Sequence, residues 1–452
     1  MELERDAVAD ITNLAIPPSP ASAESPSGGR RRVVVTGVGA ITPLGSDVAG
    51  TWQGLLEGRC GVRQLHDEEF DGLPVRIAAP VAVEPAELLS RREMRTMSRC
   101  AQFALIAARE AWGDAGFGTE DIRNEVLAAG RVGVSMGTIV GGAPVLVAAE
   151  HTLSARGARF VSPHTAPMVV PNSAAAQVAL DLGARGEART VVSACASGTE
   201  AIGQAIDRIR DGHVDIVLAG GTEAVITPSV MASFTAMRAL SPGTEGPEAA
   251  SRPFDKARDG FVLGEGAGVV VLEAEEHARA RGARIYGEAA GWGLSADAHH
   301  MVAPRPDGAG IVDALHKALA DAGAQPHEVA HVNAHATATP AGDAAEALAL
   351  QEVFGAGATI PVTAPKGALG HLQGAAGGVE AVAAVLTLHH RLIPPTIGCD
   401  NPDEGADLDI VADAPRPLPE KGDLVLSNSY GFGGHNAVLA FRRYTDMHSE
   451  VG

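Results

Sequence analysis

Apolar residues in this chain fall in short unbroken runs, and the stretches between the runs repeat apolar positions at helical spacing. The first run, VVVTGVGAITPLG from Val33 to Gly45, is apolar on both faces and predicts a fully buried strand. Similar runs at Val132–Met136, Thr190–Val192, Ile216–Ala219, Gly268–Leu272, His331–Ala334, Ile360–Thr363 and Leu424–Leu426 predict further strands. Met97, Ala101, Ala104, Ala108 and Trp112 predict a helix over about 97–112. Such alternation implies an α/β fold with layers of buried, largely parallel strands. One helix end occurs twice. EAWGDAG at Glu110–Gly116 and KALADAG at Lys317–Gly323 lie 317 − 110 = 207 residues apart, and a strand-like run follows each. That period is too long for a solenoid; two similar halves and a chance match both fit it.

Composition sharpens the picture. The 452 residues include 54 glycines, well above the usual ~7%, which implies tight turns and close backbone contacts. With 35 basic and 55 acidic side chains the formal charge is −20, which argues against wholesale binding to nucleic acid or anionic membrane. A local basic patch for an acidic partner stays compatible with it. No apolar run reaches the ~20 residues of a membrane span. The four cysteines, Cys60, Cys100, Cys195 and Cys399, are widely spaced and form no CxxC pair, which points to a reducing compartment. Residues 1–30 carry acidic residues and then PPSPASAESPSGG, without the basic start of a signal peptide, and are expected to be a disordered leader. A cytoplasmic protein is expected.

Four positions carry candidate chemistry. Cys195 lies in VVSACASGTEAIGQAIDRI, where a strand gives way to a helix. A thiol beside a helix start gains from the dipole and from unpaired N–H groups, so a depressed pKa and an oxyanion site are expected there. A buried structural cysteine is the alternative. His335 in HVNAHATATPAGD is followed by Thr337, Thr339, Asp343 and Glu346, and His371 in APKGALGHLQGAAGG follows Lys366 by five residues. Neither loop has short ligand spacing such as HExxH, so metal chemistry is disfavoured. After the Leu424–Leu426 run, Asn428–His435 reads NSYGFGGH; glycines around Phe432 suit either a mobile loop over a ligand or a simple turn. VTGVGAITPLG has Gly37-x-Gly39, but Thr42 occupies the third glycine position and no acidic strand end follows. A dinucleotide enzyme is therefore the weaker alternative.

Taken together, the segments around Cys195, His335, Lys366, His371 and Phe432, with GGTEA at 220–224 and RPFDKARDGFVLGEGAGVVVLE at 252–273, resemble the elongating β-ketoacyl-[acyl-carrier-protein] synthases over about residues 31–442. NAHATATP, HHMVAP and GFGGHN look most like the long-chain, mycolate-type members. The chain departs from the family at Ala364, Pro365, Gly367 and Ala368, which replace the usual hydroxyl-bearing loop, and at Tyr430, which replaces a phenylalanine. The resemblance implies a five-layered α-β-α-β-α thiolase-like fold of two duplicated halves, placed at 31–283 and 284–442 with a tail at 443–452. It implies decarboxylative condensation of acyl-ACP with malonyl-ACP, no organic cofactor, and a homodimer serving an acyl carrier protein. The roles it implies are Cys195 as nucleophile, and the N–H groups of Cys195 and Phe432 as oxyanion hole. His335 and His371 would be enolate stabilisers, Lys366 supported by Glu346 would polarise them, and Phe432 would be a gate. It further implies Thr337 and Thr339 at the substrate, Arg92 and Arg95 at the carrier, and a monovalent-cation site at Asn333, Glu380, Ser427 and Asn428. A polyketide or specialised-lipid ketosynthase, or a non-catalytic partner subunit, are the alternatives.

Overall fold

The computed structural model describes residues 30–357 and 359–446, so the expected leader and most of the expected tail lie outside the described residues. Its main sheet contains β1 (Val33–Ile41), β2 (Val132–Gly137), β3 (Glu187–Val191), β4 (Ile216–Glu223), β5 (Gly266–Ala274), β6 (Gly287–Ala296), β7 (Val329–Asn333), β8 (Pro361–Thr363), β9 (Asp409–Ile410), β10 (Leu424–Gly431) and β11 (His435–Arg442). Their spatial order is β9-β8-β7-β10-β11-β6-β1-β5-β4-β2-β3. The strands β3-β2-β4-β5-β1 and β8-β7-β10-β11-β6 follow one pattern, each taking its own members in the order third, second, fourth, fifth, first. Among the described residues, the two sets pair with each other only through Val34 and Val35, opposite Glu288 and Gly287.

Helices complete five layers. Helices α1 (Arg99–Asp114) and α2 (Ser173–Leu182) cover the outer face of the first strand set. Between the two sets lie α3 (Ser197–Arg210) and α6 (Ala376–His390), packed on each other, and α4 (Ala309–Asp321) and α5 (Pro340–Phe354) cover the far face. Helix α6 is buried from Ala376 to Leu388, a position that its AGGVEAVAAV sequence permits. A Cβ at Gly377 would lie 2.1 Å from Thr199 Oγ1, so only glycine lets α6 approach α3 this closely. The repeated A-x-x-D-A-G segment ends α1 and α4, which occupy corresponding places between the first and second strands of their sets.

Three expectations need correction. The sheet is mixed, not largely parallel: β1, β5, β6 and β11 pair antiparallel with their neighbours. The helix expected at 97–112 begins at Arg99, because Ser98 caps it and ends the preceding short helix, Arg91–Thr96, at Met97. Finally, Asn428–Gly431 is strand, and only the residues between Gly431 and His435 form the turn to β11.

Candidate active site

Cys195 sits on a sharp turn between β3 and α3. Ala194 takes φ +51°, a left-handed conformation that is strained for a residue with a side chain. Ser197 holds the turn: its Oγ accepts from the Ser193 N–H at 2.9 Å and donates to the Ala194 carbonyl at 2.6 Å. The β10–β11 hairpin leans on this turn through Gly431, where a Cβ would stand 2.8 Å from the Ser193 oxygen and 3.0 Å from the Cys195 nitrogen. This approach brings the Phe432 N–H, together with the N–H of Cys195 itself, to the Cys195 sulfur.

His371 Nε2 lies 3.0 Å from Cys195 Sγ. Its Nδ1 accepts the Gln373 N–H at 3.3 Å, which leaves the ring proton on Nε2, facing the sulfur. The His335 ring stands 5.4 Å from that of His371 and nearly perpendicular to it. Ligand atoms of Cys195, His335 and His371 all fall within 4.8 Å of one another, and all three residues are buried. Burial and the nearby Lys366 hold both imidazoles well below the usual histidine range, so both are neutral at pH 7.

Carboxylates shape the loop that carries His335. Glu346, on α5, accepts the N–H groups of His335 and Ala336 at 2.9 and 2.8 Å, and Asp343 accepts that of Ala338 at 3.1 Å. These contacts offset the left-handed conformations of Ala336 and Ala338. Lys366 is paired with Glu380 rather than with Glu346, and both members of that pair are buried. Glu346 bonds instead to Asn428 Nδ2 at 3.2 Å. Asn333 and Ser427 are partners across β7 and β10, and Asn333 Nδ2 donates to the Glu380 carbonyl at 3.2 Å. Asn333 Oδ1, Glu380 Oε2, Ser427 Oγ and Asn428 Oδ1 are all buried without a hydrogen-bond partner among the described residues.

The depressed pKa expected for Cys195 is not found. Burial pushes its thiol up to about 11, against the pull of Lys366 and of the N–H groups of Phe432 and Cys195. The helix start does not outweigh desolvation. Burial likewise carries Cys100 and Cys399 up to about 12. Above Cys195, His335 and His371 opens a cavity of ≈390 Å³, with Phe234, Phe261 and Phe432 among its apolar walls. Thr337 and Thr339 line it, with their hydroxyls 3.0 Å apart. Arg92 and Arg95 lie outside the cavity, exposed on the Arg91–Thr96 helix. Arg99 is no extension of that pair, since it bridges Glu84 and Glu265. Two residues escaped the sequence reading. Ser197 holds the Cys195 turn through its hydroxyl and Gln373 orients His371 through its backbone N–H, and no motif signals such contacts.

Known proteins resemble this chain in sequence and fold. Residues 30–278 match the family described as "Beta-ketoacyl synthase, N-terminal domain", and residues 286–400 match "Beta-ketoacyl synthase, C-terminal domain". The chain is 44% identical over 417 residues to 3-oxoacyl-[acyl-carrier-protein] synthase 2 of Synechocystis sp., covering 92% of this chain and 99% of that protein. It is 42% identical to the enzyme of the same name from Coxiella burnetii, covering 92% and 100%. Among solved structures, a β-ketoacyl synthase from Burkholderia phymatum superposes with a TM-score of 0.83 at 36% identity over 92% of this chain and 100% of that one. The ketosynthase of a complex with a type II PKS acyl-carrier protein, bound to the hexaketide, gives 0.83 at 32% over the same shares. Family matches over residues 30–278 and 286–400, and relatives aligned along nearly their whole length, place this chain in the β-ketoacyl synthase family.

Proposed function

We propose that the chain is a 3-oxoacyl-ACP synthase that condenses acyl-ACP with malonyl-ACP in fatty-acid elongation. One observation carries this reading: two backbone N–H groups and His371 Nε2 converge on a buried cysteine sulfur, beside a second neutral histidine. The Cys195 thiolate attacks the acyl carbon, and the tetrahedral oxyanion accepts the N–H groups of Cys195 and Phe432. Collapse breaks the bond to the carrier sulfur and leaves acyl-Cys195. The malonyl thioester oxygen then accepts N–H bonds from His335 and His371. Its carboxylate departs as carbon dioxide, and the electron pair of that bond becomes the enolate. The enolate carbon attacks the acyl carbon and expels the Cys195 thiolate, giving a product two carbons longer. Neutral imidazoles suit this task because they donate a proton bond without protonating the enolate.

The remaining roles rest on geometry. The Glu380-paired Lys366 lies close enough to bias both histidines, Thr337 and Thr339 face the incoming substrate, and Phe432 walls the same cavity as Cys195, where its ring would act as the gate. The four unpartnered oxygens of Asn333, Glu380, Ser427 and Asn428 are all hard donors and fit a monovalent cation, which would brace β7 against β10. Arg92 and Arg95 offer positive charge to an acidic carrier protein. The helix Ala143–Arg156 buries none of its residues and exposes Leu146, Val147 and Leu153, which supports a homodimer formed on that side. We take 31–283 and 284–442 as the duplicated halves, and the four free cysteines support a reducing, cytoplasmic setting.

A type II PKS ketosynthase is among the structural relatives, but at 32% identity against 42–44% for the 3-oxoacyl-[acyl-carrier-protein] synthases. The test is product analysis with malonyl-ACP and a panel of acyl-ACPs. A single two-carbon extension per turnover supports elongation. Repeated extension without reduction would favour the polyketide reading, and no product would leave a non-catalytic partner.

A further inference from the structure

Glu223, the last residue of β4, is a buried carboxyl outside the set of groups that touch the reacting atoms. Its Oε2 accepts the Ile139 N–H at 2.6 Å, and its Oε1 accepts the Thr138 hydroxyl at 3.1 Å and the Val140 N–H at 3.4 Å. The Gly374 N–H also donates to it. A single carboxyl thereby ties the turn after β2, in the first strand set, to the turn before α6, in the second. Gly374 is fitted closely to it, since a Cβ there would stand 2.5 Å from Glu223 Oε2 and 2.9 Å from the Ile139 nitrogen.

The neighbour of Gly374 links this clamp to the chemistry. Gln373 is held at φ +54°, and its N–H is the donor to His371 Nδ1. Successive N–H groups of one turn therefore point two ways, Gln373 to the imidazole and Gly374 to the carboxyl. We propose that Glu223 is a positioning residue: by anchoring the Gly374 N–H it keeps the Gln373 N–H on His371 Nδ1, and so keeps the ring proton on Nε2, facing Cys195 and the substrate. This rests on the condensing role of His371 set out above. Without the anchor, Gln373 can relax from its left-handed conformation, its N–H leaves the ring, and either nitrogen can carry the proton. The tautomer with hydrogen on Nδ1 has no N–H to offer the thioester oxygen.

The test is nitrogen-15 NMR of the histidines in full-length protein, with His371→Asn assigning the resonance. Wild type should show a protonated Nε2 and a bare Nδ1. In folded Glu223→Gln, which presents an amide to the same N–H groups, the two tautomers should mix. Malonyl-ACP decarboxylation should then fall by about 10- to 100-fold in kcat, the usual scale for an imidazole-orienting partner, with KM little changed. Glu223→Asp draws the carboxylate back by one methylene and should mix the tautomers as well. A wild-type tautomer signature in either folded variant overturns the proposal. So does failure of both variants to fold, which would make Glu223 an element of the fold alone. The NMR signature needs no substrate, so it judges Glu223 separately from product formation by wild type, which judges the condensing role.

Discussion

At the scale of single residues, Cys195 is poised by donors rather than by a low pKa. His371 Nε2, two N–H groups and Lys366 favour the thiolate, while burial opposes it and sets the thiol at about 11. Because only the thiolate is nucleophilic, its labelling by iodoacetamide should keep rising with pH toward 11, measured by peptide mass spectrometry. A plateau reached by about pH 8 would restore the depressed pKa expected of a helix start. The identities of Cys195, His335 and His371 were legible in sequence because each lies in a distinctive local motif. Protonation was not, because it follows from burial built by distant segments. Lys366 shows the same limit: the family resemblance implied Glu346 as its support, whereas packing supplies Glu380 from α6. Lys366→Ala should cost about 3–5 kcal/mol by stranding a buried carboxylate. Lys366→Met with Glu380→Gln should recover most of that stability in denaturant titrations without recovering condensation.

Elements matter through how they lean on one another. The β10–β11 hairpin carries Phe432, whose ring lies 6.5 Å from that of Phe234 across the cavity. Folded Phe432→Ala should condense more slowly and let unacylated enzyme decarboxylate malonyl-ACP faster, as read by single-turnover acylation beside carbon dioxide release. Wild-type values in both would reduce the ring to ordinary packing. The short Arg91–Thr96 helix begins with a capping box between Ser90 and Glu93 and turns Arg92 and Arg95 outward. Arg92→Glu with Arg95→Glu should raise KM for acyl-ACP by about 10-fold or more, and change KM for a small acyl thioester much less. Equal changes would indicate a misfolded variant. The sequence pattern passed over this helix and began α1 at Met97, two residues early, because only Ser98 marks the break between them. It also passed over β6, whose GEAAGWGLSA sequence is too rich in glycine and alanine to read as a strand.

Across the whole molecule, a repeated strand order brings the three turns of the proposed site together on facing elements. The first strand set supplies Cys195 at the start of α3, and the second supplies His335 after β7 and His371 before α6. The A-x-x-D-A-G echo was a faint trace of that repetition, preserved where α1 and α4 end in corresponding positions. The mixed direction of the strands left no such trace, because a buried strand reads alike whichever way it runs. In the proposed reaction Cys195 carries the acyl group while the histidines generate the carbanion. Intact-protein mass spectrometry tests it directly, with acyl-ACP added first and malonyl-ACP second. One acyl adduct should form, on Cys195, and disappear on addition of malonyl-ACP as 3-oxoacyl-ACP forms, with no adduct in Cys195→Ala. An adduct that malonyl-ACP fails to discharge, or one that survives Cys195→Ala, would contradict it.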